Sequence, residues 1–213
     1  MSPIRAVIWD MGGVLYVTPF EVFDDLERQR GLAPGTLPRG PFAPGGDDEY
    51  ARCSTGELSE RDYWKGYEDR LAGRGIHLRI GEVIDWSNRL RPEVMDVIAK
   101  LDGHYLQAIL TNDSTSWLGD GWWETWPYRR LFASVIDVAT LGVRKPHPDT
   151  YLASAAALGV APGDCLFIDD MQLNVDGAEA AGMRGFFFDH TDAAGSVASL
   201  LAMLLPGETA GGR

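Results

Sequence analysis

The chain has 213 residues, 45% of them hydrophobic, and a formal net charge of −12 from 31 acidic and 19 basic side chains. That length and apolar content suit one large domain, or a domain carrying an insertion, with a real buried core. The acidic balance, with no cluster of Lys and Arg, argues against a nucleic-acid partner, and no apolar run approaches the roughly 20 residues that cross a bilayer.

Met1 to Arg5 lead straight into a strand-like segment with no signal-peptide pattern. Cys53 and Cys165 are too few for a disulfide framework and form no CxxC pair, so a reducing compartment, the cytoplasm, is expected. An acidic protein that handles an anion must supply positive charge locally, from a metal, a basic side chain or backbone N–H groups.

In chain order, Ile4 to Trp9 (IRAVIW) is an apolar, β-branched run that ends at Asp10 and is followed by Gly12-Gly13, which predicts a buried strand meeting a tight turn. From about Thr18 to Arg89 the rhythm changes. A Pro/Gly-rich loop over 33–46 gives way to the capping pattern Ser59-Glu60-Arg61-Asp62, then to Tyr63, Trp64, Tyr67 and Leu71 at helical spacing. This predicts a small helical module inserted after the first strand.

Beyond it, Pro92 opens a helix with Val94, Val97, Ile98 and Leu101 on one face and Gly103 as its stop. Further strands are predicted over Leu106 to Leu110, Ser134 to Val138, Cys165 to Ile168 and Arg184 to Phe188. Between them, Pro148 opens a helix with Tyr151, Leu152, Ala155 and Leu158 inward, and Gln172 to Ala181 forms another that Gly182 ends. Buried strands alternating with helices predict an α/β fold: a Rossmann-like, mainly parallel sheet with helices on both faces. The core is expected over 1–17 and 90–205, the inserted helical module over 18–89, and a disordered Gly-rich tail over 206–213.

Open parallel sheets bind ligands beyond the carboxyl ends of their strands. After strand one stands Asp10, after strand two Thr111-Asn112-Asp113, and after strand four Asp169-Asp170, while Lys145-Pro146 lies in the connection after strand three. Each has a plainer reading: Asp10 as a turn residue, Thr111 and Asn112 as helix caps, Lys145 as a solvated charge. The Asp169-Asp170 pair is the strongest signal, because neighbouring carboxylates repel unless a cation joins them. Magnesium is the natural candidate, since it takes hard oxygen ligands from carboxylates and phosphate.

Taken in this order, these residues resemble the haloacid dehalogenase superfamily of aspartate-nucleophile phosphohydrolases. The segments that carry the resemblance are WDMGGVL (9–15), ILTND (109–113), GVRKPHPDTY (142–151) and FIDDMQLNVDGA (167–178). Within that superfamily, LRPEV (90–94) and STGELSERDYW (54–64) are similar to the branch holding the N-terminal phosphatase domain of soluble epoxide hydrolases and bacterial sugar-phosphate phosphatases. The resemblance spans about residues 4 to 190. It implies that Asp10 attacks phosphorus and forms an aspartyl-phosphate, with Thr111 and Lys145 as its catalytic partners. It implies phosphate binding by Gly12, Gly13, Thr111, Asn112 and Lys145. It also implies Mg2+ held by Asp10, the Gly12 carbonyl, Asp169 and Asp170, with Asn174 as a supporting partner. The 18–89 module becomes a helical cap that closes over the site and selects the substrate.

The pattern departs from the family at position 12. Family phosphatases usually carry Asp there as general acid and then base, a role typically worth about 10²–10⁴-fold; here the residue is Gly12. Either the leaving group needs little acid, or another group such as Asp113, His147 or a cap carboxylate supplies the proton, or turnover is poor. The expected function is a magnesium-dependent phosphohydrolase acting on a small phosphorylated metabolite such as a sugar phosphate. Its rival is a phosphate- or partner-binding pseudo-phosphatase with little turnover. A metal-free dehalogenase would have no use for paired Asp169-Asp170. A phosphonate-cleaving relative would need a cap lysine, and Lys65 is the only lysine in the module.

The expected partner is a small phosphorylated substrate, with neither nucleic acid nor membrane, and a homodimer is left open. Trp117 to Tyr128 (WLGDGWWETWPY) holds four tryptophans and reads as packing, a self-association surface or a wall of the site. His147 reads as an N-cap or surface residue near the site, and Cys165 as a small buried strand residue.

Overall fold

The computed structural model describes residues 3–83, 89–138 and 142–205. The tail over 206–213, expected to be disordered, lies outside the described residues, as does the side chain of Trp117.

The first strand, β1 (Ala6–Trp9), is buried along its whole length, as an unbroken apolar run requires. A tight turn then leads into a helical region made of α1 (Phe23–Arg30), α2 (Asp48–Ser54), α3 (Glu60–Ala72) and α4 (Ile80–Val83). The Asp47 carboxylate caps α2 by accepting from the N–H groups of Glu49 and Tyr50. The Ser59 hydroxyl caps α3 by accepting from Asp62 N at 3.0 Å, as the capping pattern predicts. Phe20, Phe23, Tyr63, Trp64, Tyr67 and Leu71 form part of a hydrophobic cluster separate from those on the sheet. The chain leaves and rejoins the sheet side by side: Tyr16 bridges Leu90 in antiparallel sense, Val17 N donates to Arg89 O (3.0 Å), and Arg91 N donates to Leu15 O (2.8 Å).

After α5 (Pro92–Leu101) come β2 (Leu106–Thr111), α6 (Thr115–Leu118), α7 (Trp122–Thr125), β3 (Ser134–Asp137) and α8 (Pro148–Leu158). The chain then runs through β4 (Cys165–Asp169), α9 (Gln172–Ala180), β5 (Arg184–Phe187) and α10 (Ala193–Leu204). The five strands are all parallel, in the order β3-β2-β1-β4-β5. On one face Val7, Trp9, Ile109 and Ile168 pack with α5 and α10; on the other Ala6, Ile8, Leu110 and Phe167 pack with α8 and α9. The predicted Rossmann-like sheet covered on both faces is the architecture observed.

Two details differ from expectation. The outer strands β3 and β5 are half-buried rather than buried, because each pairs on one side only. Leu152, expected inward, is 44% exposed, since Tyr151, Ala155 and Leu158 already form the i, i+4, i+7 stripe of α8 and Leu152 stands one residue around from it. Among the described residues no helix is long and apolar enough to cross a membrane.

Candidate active site

Sheet register places the carboxylates. Trp9 pairs with Ile168 on one side and Ile109 on the other, so Asp10 and Asp169 leave the sheet as neighbours and Thr111 ends the adjoining strand. The chain adds β2 and β3 to one side of β1 and β4 and β5 to the other, and ligands bind at such a switch point. Asp10, Asp169 and Asp170 each bring a carboxylate oxygen within 4.8 Å of the others, all three residues being buried.

Lys145 holds this cluster together. Its ammonium is 2.5 Å from Asp10 Oδ1 and 2.8 Å from Asp169 Oδ2, and the residue is 2% exposed. Burial alone would lower its pKa, but the two carboxylates outweigh that and hold it above its usual value. Several contacts aim the lysine and its partner. Asn112 Oδ1 accepts from Lys145 N at 2.9 Å. Asp169 accepts from Asn174 Nδ2 at 3.0 and 3.1 Å and from Met171 N at 2.9 Å. Gly177 lets α9 approach the Lys145-Pro146 segment, since a Cβ there would lie 2.7 Å from Pro146 Cβ and 2.9 Å from Pro146 O. The expected support from Asn174 is therefore in place.

Three carboxylates against one ammonium leave two formal negative charges in a buried site. Burial, and then Asp169, raise Asp10 to about 7 despite Lys145. Burial, Asp169 and Asp10 hold Asp170 well above the usual carboxylate range. Asp170 Oδ2 is buried with no hydrogen-bond partner. An orphaned hard oxygen beside two more carboxylates suits a divalent cation, and the residues present fit magnesium.

The other expected site residues divide. Thr111, Asn112 and Gly12 line a cavity of about 130 Å³ above Asp10, together with Asp113, Lys145 and Asp170. Gly12 leaves open space, with nothing within 4 Å of where a Cβ would stand. Gly13 plays a different part from the phosphate contact expected of it. Its N–H donates to Tyr16 O at 2.7 Å, it does not line the cavity, and at φ +81° a Cβ would lie 1.9 Å from Asp170 Oδ2. Glycine there is what lets Asp170 sit under the turn.

Outside the cavity, His147 is exposed and caps α8 through Nδ1, which accepts from Asp149 N at 3.3 Å. Lys65 is also exposed and paired with Asp69 at 2.5 Å, so it cannot serve as a Schiff base in the cavity. Burial pushes the Cys165 thiol up to about 11, in keeping with an inert strand residue. Trp122, Trp123 and Trp126 pack against the core, the last two on Phe132; Trp122 Nε1 donates to Ser114 Oγ (3.0 Å) and Trp126 Nε1 to Tyr16 OH (3.1 Å). Packing is thus the reading that fits these three rings.

Sequence reasoning missed two features. His190, just past β5, brings Nδ1 within 3.6 Å of Asp170 Oδ2 and sets its ring 4.5 Å from that of Phe42. Extending the strand-end rule to the fifth strand would have found it. Arg91, buried, donates through Nε to Gly13 O at 3.3 Å and pairs with Glu21, tying the first turn to the helical region.

Fold and site together define a class: a Rossmann-like hydrolase scaffold with a carboxylate–lysine centre at its switch point. Residues 4–182 match the family described as haloacid dehalogenase-like hydrolase, and the chain belongs to that family. It is 32% identical over 103 residues to the phosphoglycolate phosphatase of Escherichia coli (strain K12), covering 48% of this chain and 40% of that protein. It is 40% identical over 52 residues to the beta-phosphoglucomutase of Bacillus subtilis (strain 168), covering 24% of this chain and 23% of that protein. Among solved structures, the L-2-haloacid dehalogenase of Xanthobacter autotrophicus with chloropropionic acid covalently bound superposes with a TM-score of 0.64 at 25% identity, covering 97% of this chain and 84% of that one. The chain spans less than half the length of these two curated relatives and about a quarter of others that it matches.

Proposed function

We propose that the chain is a magnesium-dependent phosphomonoesterase acting on a small phosphorylated metabolite through an aspartyl-phosphate on Asp10. The observation that carries this reading is the buried Asp10–Lys145–Asp169 arrangement, whose Asp10 and Lys145 line the cavity, with an Asp170 oxygen beside it that has no hydrogen-bond partner. Its similarity to a phosphoglycolate phosphatase supports it. Asp10, Asp169, Asp170 and the Gly12 carbonyl would hold the cation, which supplies charge neutralisation at the phosphoryl oxygens.

The rest follows from the chain's own groups. Asp10, as carboxylate, attacks phosphorus while the bond to the leaving oxygen breaks. Lys145 keeps Asp10 aimed and stands beside the phosphoryl oxygens as charge builds on them. Thr111, at the end of β2, donates its hydroxyl to one of those oxygens. Water then attacks the aspartyl-phosphate, releasing orthophosphate and regenerating Asp10. With Gly12 in place of an acid, the leaving oxygen takes its proton from solvent or from the Asp113 carboxyl group of the cavity lining.

In this reading residues 18–89 are the cap, 1–17 and 90–205 are the core, and the protein works in the cytoplasm. A metal-free dehalogenase is disfavoured because it would leave three buried carboxylates against one ammonium. The test is phosphate release with and without magnesium, comparing the wild type with Asp10→Asn. Release that needs both the metal and Asp10 supports the phosphatase; none above the variant across a broad ester panel would replace it with the binding reading that Gly12 favours.

A further inference from the structure

The cavity above Asp10 has two unlike halves. Its floor holds Asp10, Asp170 and Lys145; its roof is built by Phe20, Phe42, Tyr50 and Trp64 from the helical region, with Glu60 as the roof's charged residue. The rings brace one another around Phe20. Trp64 lies 5.0 Å away at a tilt of 32°, Phe42 5.8 Å away and Tyr50 6.0 Å away, the last two edge-on. Such a wall offers an apolar surface to the ligand.

Positive charge is scarce in this cavity. Among the described residues Lys145 is the one cationic side chain in the lining, and its ammonium is already shared by Asp10 and Asp169. Residues 84–88 and 139–141 contain no lysine or arginine. Arg144 stands outside the lining, 3.6 Å from where a Cβ on Gly56 would lie. A substrate with a second anion beyond its phosphoryl group would bring that charge to aromatic rings and Glu60, with no further cation among the described lining residues to meet it.

We propose that the substrates are monophosphate esters of alcohols that carry no second anion, with neutral apolar and amino alcohols favoured and Glu60 setting the preference for positive over negative charge. This rests on the phosphomonoesterase reading. It separates the chain from phosphoglycolate, which carries a carboxylate on its leaving group.

The experiment compares kcat/KM, with magnesium present, for three two-carbon esters: phosphoethanolamine, ethyl phosphate and phosphoglycolate, with phenyl phosphate as the aromatic probe. Phosphoglycolate should fall at least about tenfold below ethyl phosphate, the size of effect that one like charge produces across such a site at an effective dielectric of about 20. Phosphoethanolamine and phenyl phosphate should equal or exceed ethyl phosphate. In Glu60→Gln the phosphoethanolamine-to-phosphoglycolate ratio should shrink by about tenfold, and in Glu60→Lys it should shrink further. A ratio taken on one preparation is independent of how much of the variant is folded. Phosphoglycolate turned over as well as ethyl phosphate by the wild type overturns the inference and leaves the phosphatase standing. An unchanged ratio in both Glu60 variants overturns the assignment to Glu60. No Asp10-dependent release from any of the four esters overturns the phosphatase reading and the inference with it.

Discussion

Gly12→Asp restores the residue that related phosphatases use as general acid, and the structure says what it should do. Gly12 is not among the residues with positive φ, and a Cβ there meets nothing within 4 Å, so aspartate enters without backbone strain or collision. The stability change should stay within about 0.5 kcal/mol, as for substitutions away from packed features. The new carboxyl joins a cavity that contains Asp10, Lys145 and Thr111, within reach of a leaving oxygen. General acid assistance is worth about 10²–10⁴-fold, and only where the leaving group needs it. Steady-state kcat/KM should therefore rise by about 10²-fold for ethyl phosphate and by less than about threefold for para-nitrophenyl phosphate, whose phenoxide departs unaided. Equal changes for both esters, or no gain for the alkyl ester in a variant of wild-type stability, would refute the view that an acid is missing at position 12.

Three further outcomes follow from the geometry. Lys145→Met leaves Asp10 and Asp169 buried without their cation and should cost about 3–5 kcal/mol in urea denaturation at about pH 8, much of it recovered by magnesium; undiminished stability without metal would contradict the charge accounting. Gly177→Ala forces a methyl against Pro146 and should cost about 1–3 kcal/mol while lowering kcat through displacement of Lys145, whereas unaltered kcat would separate that helix contact from catalysis. The folded pKa of Asp10 is raised from 3.8 to about 7, so its stabilising contribution is complete below the unfolded value and is lost as pH climbs through about 7. Chelator-treated protein should thus melt lower at about pH 8 than at about pH 5, and magnesium should raise Tm by at least about 4 °C more at the higher pH; an equal rise at both pH values would count against metal binding at these carboxylates.

The edge of the sheet that carries the candidate site was legible because it rests on local order. A β-branched run that ends in Asp10 can only deliver that residue to a strand end, and the same holds for Asp169 after CLFI. Parallel pairing then makes neighbours of the two, which the alternation of strands and helices had already implied. Leu152 shows the limit of periodicity: three apolar positions fill the α8 stripe, and a fourth beside them looks identical in sequence yet faces outward. Gly13 shows another, since the adjacent glycines are alike in composition and only the approach of Asp170 tells them apart. The aromatic roof and Glu60 were beyond reach for a different reason. Which residues of an inserted module look down on the site depends on how its helices pack around Phe20 and Tyr63, contacts far apart along the chain that carry no local signal.

The paired connections at 15–17 and 89–91 have a consequence for how such a chain diversifies. Because Tyr16 and Leu90 are bridged, the long excursion between them begins and ends at almost one point, and the sheet experiences it as a closed loop. The entropy of closing a loop grows only logarithmically with its length, so what lies between those two residues is nearly free to lengthen, shorten or be exchanged without disturbing β1 or the carboxylates after it. The helical region also keeps its own hydrophobic cluster, so replacing it removes little that the sheet depends on. The sheet with its carboxylates and the helical region are thus separable parts of one polypeptide, joined at a two-residue seam.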